Sequence, residues 1–328
     1  GSSSFLLGTE DFLGRSRVAG SAVDIGAYEW YAESTRLSLD VDVAGIYGKT
    51  WYVDSVAGDD GNVGNVEMSR FRSIQKAIDV AAEGDKIVVG DGAYTPISTG
   101  NKRLMISSRN GALSTIIDGG GTNRCAMLGI NVTDTNTVVR GFTFQNGSSE
   151  STNGGGGVFA GSLVNCIIKN NRIGYGDGGG VRGGQLYQCI IEKNKLWHVR
   201  NETATPKGAG VADARCINCV IVNNDASSHH LLSVSGAYKS ELDNCIVAAN
   251  LCYGGYRQIY LCTIVNSCIP EADTIENGNT LTDCVIGSPM LVDVQRGDYR
   301  LLSGSPCIDA GSSSFLLGTE DFLGRSRV

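Results

Sequence analysis

The sequence predicts an all-β chain wound as a parallel β-helix behind a short N-terminal capping helix, and three observations predict it. First, the stretch Leu163–Asn171 (LVNCIIKNN) returns downstream with its residue types in the same places. With the cysteine as origin, one column reads Cys166, Cys189, Cys219, Cys245, Cys262 and Cys284, preceded by Phe142. Two residues later stand Ile168, Ile191, Ile221, Val247, Ile264 and Ile286; three before it stand Leu163, Leu186, Cys216, Leu242, Ile259 and Leu281. Five ahead of the leucine column are Val158, Val181, Val211 and Ala237, each directly after a glycine. Second, the origins recur at intervals of 24, 23, 30, 26, 17 and 22 residues, a period that belongs to solenoids. Third, apolar residues within each rung alternate with period two and no apolar 3.6-residue period appears, which makes each rung a strand. Stacking like on like, ~4.8 Å apart, turns each column into a continuous inner file, and the unequal intervals become loops inserted at fixed corners.

Five residues past the origin, asparagine recurs as Asn171, Asn194, Asn224 and Asn250. Asparagine tolerates the left-handed backbone of a tight corner, and its amide can bond to the asparagine of the next coil.

Composition narrows the partners. The 328 residues include 45 glycines and only 5 prolines, as many corners without a proline-rich linker require. A net charge of -7, with no Lys/Arg cluster interleaved with aromatics, excludes a nucleic-acid footprint and disfavours a polyanion. No apolar run approaches the roughly 20 residues that span a bilayer. Eleven cysteines suggest a disulfide framework or a metal site. The register answers otherwise: Cys216 and Cys219 are two core positions of one rung, and stacked thiols in a dry core stay reduced.

The first eighteen residues, GSSSFLLGTEDFLGRSRV, return unchanged at 311–328, a period of 310 residues. The expected organisation is the end of one repeat over 1–30, a connector over 31–50, the β-helix over 51–310, and the start of the next copy at 311–328. Phe5, Leu6 and Phe12, with Phe315, Leu316 and Phe322 in the second copy, are the expected contacts between adjacent identical repeats. In the connector, Leu37, Leu39, Val41 and Val43 alternate with polar residues, so it reads as a strand laid against a neighbour. Ser69–Ala82 reads as an amphipathic helix capped by Ser69, with Phe71, Ile74, Ala77, Ile78 and Ala81 on one face. Strands follow at Ile87–Val89, Leu104–Ile106 and Ile116–Asp118, and Val138–Asn146 joins the ladder. The glycine-rich stretches Asn153–Gly157 and Asp177–Gly180 lack the ending of a phosphate loop and are corners. Asp298–Ala310 is expected to close the last coil, with Cys307 buried.

Five motifs carry a resemblance. DYRLLSGSPCIDAG (Asp298–Gly311), then DFLGRSRV, then VDIGAYEW (Val23–Trp30) resemble the C-terminal end of secreted bacterial parallel β-helix proteins of the pectin-lyase-like repeat family, which often carry a choice-of-anchor domain. WYVDSVAGDDGNVG (Trp51–Gly64) and GDKIVVGDGAYT (Gly84–Thr95) are similar to that family's beginning. The resemblance implies right-handed winding and an extracellular or cell-surface location, and the 310-residue period implies a tandem array of near-identical domains. The resemblance is specific for fold and weak for activity.

Polysaccharide enzymes of this fold need carboxylates paired on an exposed face, or Ca²⁺ held by acids beside a base. The sequence shows no Asn-x-Asp, Asp-Asp and Gly-His-Gly set, and His198, His229 and His230 lie in long loops. No catalytic residue is assigned. A weak Ca²⁺ candidate is Asp59, Asp60 and Asn62 in a glycine-rich loop; otherwise no cofactor is expected. The positions one past the origin, Ile167, Ile190, Val220, Ile246, Thr263 and Val285, form an outward apolar strip that long loops or a lateral partner must cover. The leading expectation is therefore a non-enzymatic structural repeat of a fibre or adhesin. The alternative is a polysaccharide lyase or hydrolase, or a glycan-binding module.

Overall fold

The computed structural model describes residues 48–197, 206–227, 233–252, 257–271 and 277–312. Four parallel sheets stack along one axis. The first has ten strands, from Thr50–Val53 to Thr280–Thr282, and the second nine, from Gly92–Tyr94 to Val285–Ile286. A third of five strands runs from Ser148–Ser149 to Leu251–Cys252, and a fourth of seven from Ile97–Ser98 to Ile259–Tyr260. One coil visits them in turn: Val158–Phe159 in the fourth sheet, Ser162–Val164 in the first, Ile167–Lys169 in the second, Arg172–Ile173 in the third. The fold is a right-handed parallel β-helix, the hand that parallel crossovers take.

The files form as the alternation requires. Ile168 stands opposite Ile191, Ile191 opposite Ile221 and Ile221 opposite Val247, all fully buried. The later part of the register differs from the sequence expectation. Ile264 pairs with Leu242 and Leu281 in the first sheet, and Ile259 pairs with Ala237 in the fourth. Ser267, ahead of Cys268, therefore continues the file of Cys166, Cys189, Cys219 and Cys245, while Cys262 belongs to a different corner. Both corners accept a small hydrogen-bonding side chain, so cysteine identity could not tell them apart.

Each coil turns at left-handed residues, and these are not the file residues themselves. Asn170, Lys193, Asn223 and Ala249 (φ 53–55°) each precede an asparagine of the Asn file. Asn165, Gln188, Asn218, Asn244, Asn266 and Asp283 precede the cysteine file, and Ala160, Asp213, Lys239 and Leu261 mark a third corner. The residue after each corner has an N–H that the change of direction has taken off the sheet ladder. The equivalent side chain of the next coil accepts it, and all three corners use this device. Asn171 N donates to Asn194 Oδ1 (3.0 Å), Asn194 N to Asn224 Oδ1 (3.0 Å) and Asn224 N to Asn250 Oδ1 (2.9 Å). Cys189 N donates to Cys219 Sγ (3.5 Å), Cys219 N to Cys245 Sγ (3.4 Å) and Cys245 N to Ser267 Oγ (2.9 Å). At the third corner Ala214 N donates to Ser240 Oγ, Ser240 N to Cys262 Sγ and Cys262 N to Asn279 Oδ1.

The same side chains then donate backward. Asn194 Nδ2 reaches Ile168 O, Cys189 Sγ reaches Leu163 O, and Asn279 Nδ2 reaches Ile259 O. In each case the acceptor lies three residues before the equivalent position in the preceding coil. The thiols are therefore hydrogen-bonding members of a polar ladder as well as small core residues. Burial pushes the Cys189 and Cys245 thiols well above the ordinary thiol range, keeping them protonated as donors. Each satisfied N–H avoids an orphan cost of ~1–3 kcal/mol. The Asn file ends on Gln258, whose Oε1 accepts from Asn250 N (2.9 Å) and Nδ2 (3.1 Å).

The helix is shorter than its periodicity suggests, spanning Ile74–Val80 with Ser73 as N-cap. Phe71 is the reason: it bridges Val53, its N–H donating to Tyr52 O and its carbonyl accepting from Asp54 N, which holds the residues before the helix extended. Ile74, Ala77 and Ile78 are buried on the first coil, so the N-terminal end is capped.

The outward strip is covered by the chain itself. The segment Asp298–Ala310 does not close the last coil. Leu291–Asp293 and Asp298–Leu301 form an antiparallel hairpin, which packs with Tyr299 and Cys307 against Ile167, Ile190, Val220 and Ile246. Tyr299 hydroxyl donates to the Glu192 carboxylate, Asn223 Nδ2 to Val294 O (2.8 Å), and Asn244 Nδ2 to Ser312 O (2.7 Å). Cys268 takes the place in this strip expected for Thr263, which lies exposed in the first sheet. Among the described residues no helix is long and apolar enough to cross a membrane.

Candidate functional site

The first residue of each fourth-sheet strand enters the core and the second points out. The outward file therefore runs Phe159, Arg182, Ala212, Tyr238, Tyr260. Tyr238 and Tyr260 stack with ring centroids 6.1 Å apart and planes within 5° of parallel. Three cations lie on this stack: Lys207 Nζ is 5.0 Å and Lys239 Nζ 5.2 Å from the Tyr238 centroid, and the Arg257 guanidinium is 5.0 Å from that of Tyr260. Such contacts hold flexible cations in place. With Tyr238 buried and Tyr260 half-buried beneath them, the site presents exposed Lys239 and half-buried Lys207 and Arg257 to solvent.

Beside the stack, Arg182 joins two carboxylates, with Nε 3.1 Å from Asp213 Oδ2 and Nη2 4.0 Å from Asp177 Oδ2. The corners place them: Asp213 and Lys239 are left-handed residues that follow the outward positions Ala212 and Tyr238. Burial pushes the Asp177 carboxyl above the usual range, against the Lys207 N–H (2.8 Å) and the Arg182 charge. Around the corner on the first sheet, Arg215 stands 3.6 Å from both Glu241 Oε2 and Asp243 Oδ2.

The weak Ca²⁺ candidates have other occupations. Asp60 accepts from Arg72 N, Ser73 N and Ser73 Oγ; Asp59 accepts from Gly61 N; Asn62 Nδ2 donates to Arg70 O. They tie the loop to the start of the helix. Among the described residues no three His, Cys, Asp or Glu side chains gather as a metal site. Phe5, Leu6, Phe12, Phe315, Leu316, Phe322 and the three histidines lie outside the described residues.

The fourth-sheet cluster is absent from the sequence expectations because the apolar strip that marks outward positions lies on the second sheet. The available signal was the residue after each Gly-Val or Gly-Ala pair, which reads Phe159, Arg182, Ala212, Tyr238.

No protein-family model matches the sequence, and no curated protein matches it. Among solved structures, the chain is similar to pectate lyase Pel9A, at 10% identity over 83% of this chain and 91% of that one (TM-score 0.46). It is also similar to pectin methylesterase PemA from Erwinia chrysanthemi, at 10% identity over 83% and 99% (TM-score 0.44). A third is the pectin methylesterase from Aspergillus niger, at 13% identity over 83% and 94% (TM-score 0.43).

Proposed function

We propose that the chain is an extracellular or cell-surface glycan-binding β-helix unit whose fourth-sheet face holds an acidic saccharide. The observation that carries this reading is the row of Lys207, Lys239 and Arg257 fixed on the Tyr238–Tyr260 stack. None of the three is in an ion pair among the described residues. A carboxylate or sulfate on a sugar would receive charge-assisted hydrogen bonds there, while Asp177 and Asp213 accept from its hydroxyls. The whole-chain charge of -7 disfavours a polyanion on average, but three cations on one face create a local field of the opposite sign. No catalytic role is assigned to the two carboxylates.

The test is retention on immobilised polygalacturonate and on neutral dextran at low and high salt. Wild type is expected to bind the acidic polymer alone and to weaken as salt screens the contact. The Lys239→Glu/Arg257→Glu double variant is expected to lose at least about tenfold in affinity. Equal binding to dextran, no binding to either polymer, or an unaffected double variant would sink the reading.

A second reading, a non-enzymatic structural unit joined end to end to identical repeats in a fibre or adhesin, is favoured by the repeated 18-residue segment. Electron microscopy of the protein from its source tests it: filaments with a regular axial repeat support it, discrete particles do not.

A further inference from the structure

The two ends of the solenoid differ. At the N-terminal end the outer edge of the first strand is occupied, because Tyr52 N donates to Gly64 O and Tyr52 O accepts from Phe71 N. The helix closes the core beneath it. At the other end Thr280–Thr282 and Val285–Ile286 are the last strands of their sheets, and among the described residues no strand lies beyond them. Thr280 N donates inward to Cys262 O, so by alternation the Leu281 N–H faces the open edge. The inner files surface here: Ile286 is 43% exposed, whereas Ile168, Ile191, Ile221, Val247 and Ile269 are buried. Leu281 and Cys284 are half-buried, and Met290, Val292 and Leu302 add exposed apolar surface nearby. A parallel edge with an exposed core is a template for another strand.

The sequence holds a fitting strand. Leu37, Leu39, Val41 and Val43 alternate with Ser38, Asp40 and Asp42, the pattern of a strand with one apolar face. This segment cannot reach the open end of its own solenoid. Val43 is seven residues before Thr50, a tether of at most ~25 Å, whereas nine spacings separate the first and last of the ten strands, ~43 Å. Its own nearby edge is already taken by Gly64 and Phe71.

We propose that the Leu37–Val43 segment of a second copy of this chain adds a parallel strand to Thr280–Thr282. Its apolar residues continue the file of Leu242, Ile264 and Leu281, and Asp40 and Asp42 face solvent. Because the segment is tethered next to Thr50, its docking brings the capped end of one unit over the open end of another. The contact is heterologous and propagates head to tail. The proposal rests on the end-to-end reading and names the contact that reading needs.

The test is sedimentation of the full chain under reducing conditions. Wild type is expected to form concentration-dependent oligomers. Leu39→Asp/Val41→Asp blocks the strand. Ile286→Glu blocks the open end, and so does Leu281→Pro, which removes the N–H facing away from the sheet. Each blocked variant is expected to be monomeric alone, with wild-type circular dichroism. Mixing a strand-blocked chain with an end-blocked one leaves one complementary pair of surfaces, so a 1:1 dimer that grows no further is expected. Oligomers that persist in both classes of variant would overturn the contact while leaving the end-to-end reading standing. A mixture that fails to dimerise would likewise overturn the contact alone, and a monomeric wild type at its highest soluble concentration would overturn both.

Discussion

Cys219 separates two accounts of the thiol file. If the file is merely apolar, Cys219→Val is benign and Cys219→Ser is harmful; if it is a polar ladder, the order reverses. Cys219 Sγ accepts from the buried Cys189 N–H (3.5 Å) and donates toward Ile217 O (3.4 Å) and Leu186 O (3.5 Å). Valine gains at most ~1 kcal/mol of transfer free energy. It orphans the Cys189 N–H at ~1–3 kcal/mol and adds a methyl to a file with no exposed surface, at ~1–3 kcal/mol. The net expectation is a loss of ~1–5 kcal/mol. Serine keeps both the acceptor and the donor, as Ser267 does two coils on, where it accepts from Cys245 N at 2.9 Å and donates to Val265 O at 2.7 Å. Its expected change is within ~1 kcal/mol. Urea unfolding followed by circular dichroism in reducing buffer gives both values from midpoint and slope. A valine variant as stable as wild type beside a weakened serine variant would refute the ladder account.

Two further outcomes follow from other parts of the molecule. The Ala57 and Val56 N–H groups and the Arg70 guanidinium (2.7 Å) hold the Asp54 carboxyl below the usual carboxylate range. A depressed folded-state value stabilises above the unfolded value and is lost as pH falls through the folded one. Stability should thus decline below about pH 4, and less steeply in Asp54→Asn; parallel pH profiles for the two proteins would contradict this. Tyr299→Ser removes the aromatic anchor of the terminal hairpin, a loss of ~3 kcal/mol or more, together with the hydroxyl bond to the Glu192 carboxylate, which keeps Lys193 as a partner. Limited proteolysis should then cut within 288–312 before the coils unfold, and an unchanged cleavage pattern would show that the hairpin is held elsewhere.

The coil was legible because its apolar period is strict: Leu163, Ile168 and their equivalents each have one face and one neighbour to match. What failed was counting by identity. Cys262 resembles Cys245 as a residue but occupies the place of Ser240, because two corners impose the same requirement on a small donor-acceptor side chain. The helix start was misplaced because Phe71, apolar and in phase with Ile74, is held extended by backbone bonds to Tyr52 and Asp54 that no local pattern encodes. The strip of Ile167, Ile190, Val220 and Ile246 shows its need for a cover in the sequence, but the cover arrives from Tyr299 and Cys307, more than fifty residues after Ile246. The fourth-sheet cluster was invisible for a different reason. Its file, Phe159, Arg182, Ala212, Tyr238, Tyr260, has no recurring residue type, since outward positions escape the core packing that repeats from coil to coil.

The corner ladders also bear on how such a chain can change length. Every ladder bond joins one coil to its neighbour at a fixed offset, forward to the equivalent side chain or back to the carbonyl three residues before it, so a coil is a removable syllable. Excising residues 172–194, from just after one file asparagine through the next, sets Asn171 against Asn224 with the same amide geometry that Asn194 has now, and the cysteine and leucine files rejoin in the same stroke. Deleting a few residues short of that number instead leaves every corner out of phase. Insertions and losses in this lineage of sequence should therefore come as whole turns or as loop tips, with little tolerated in between.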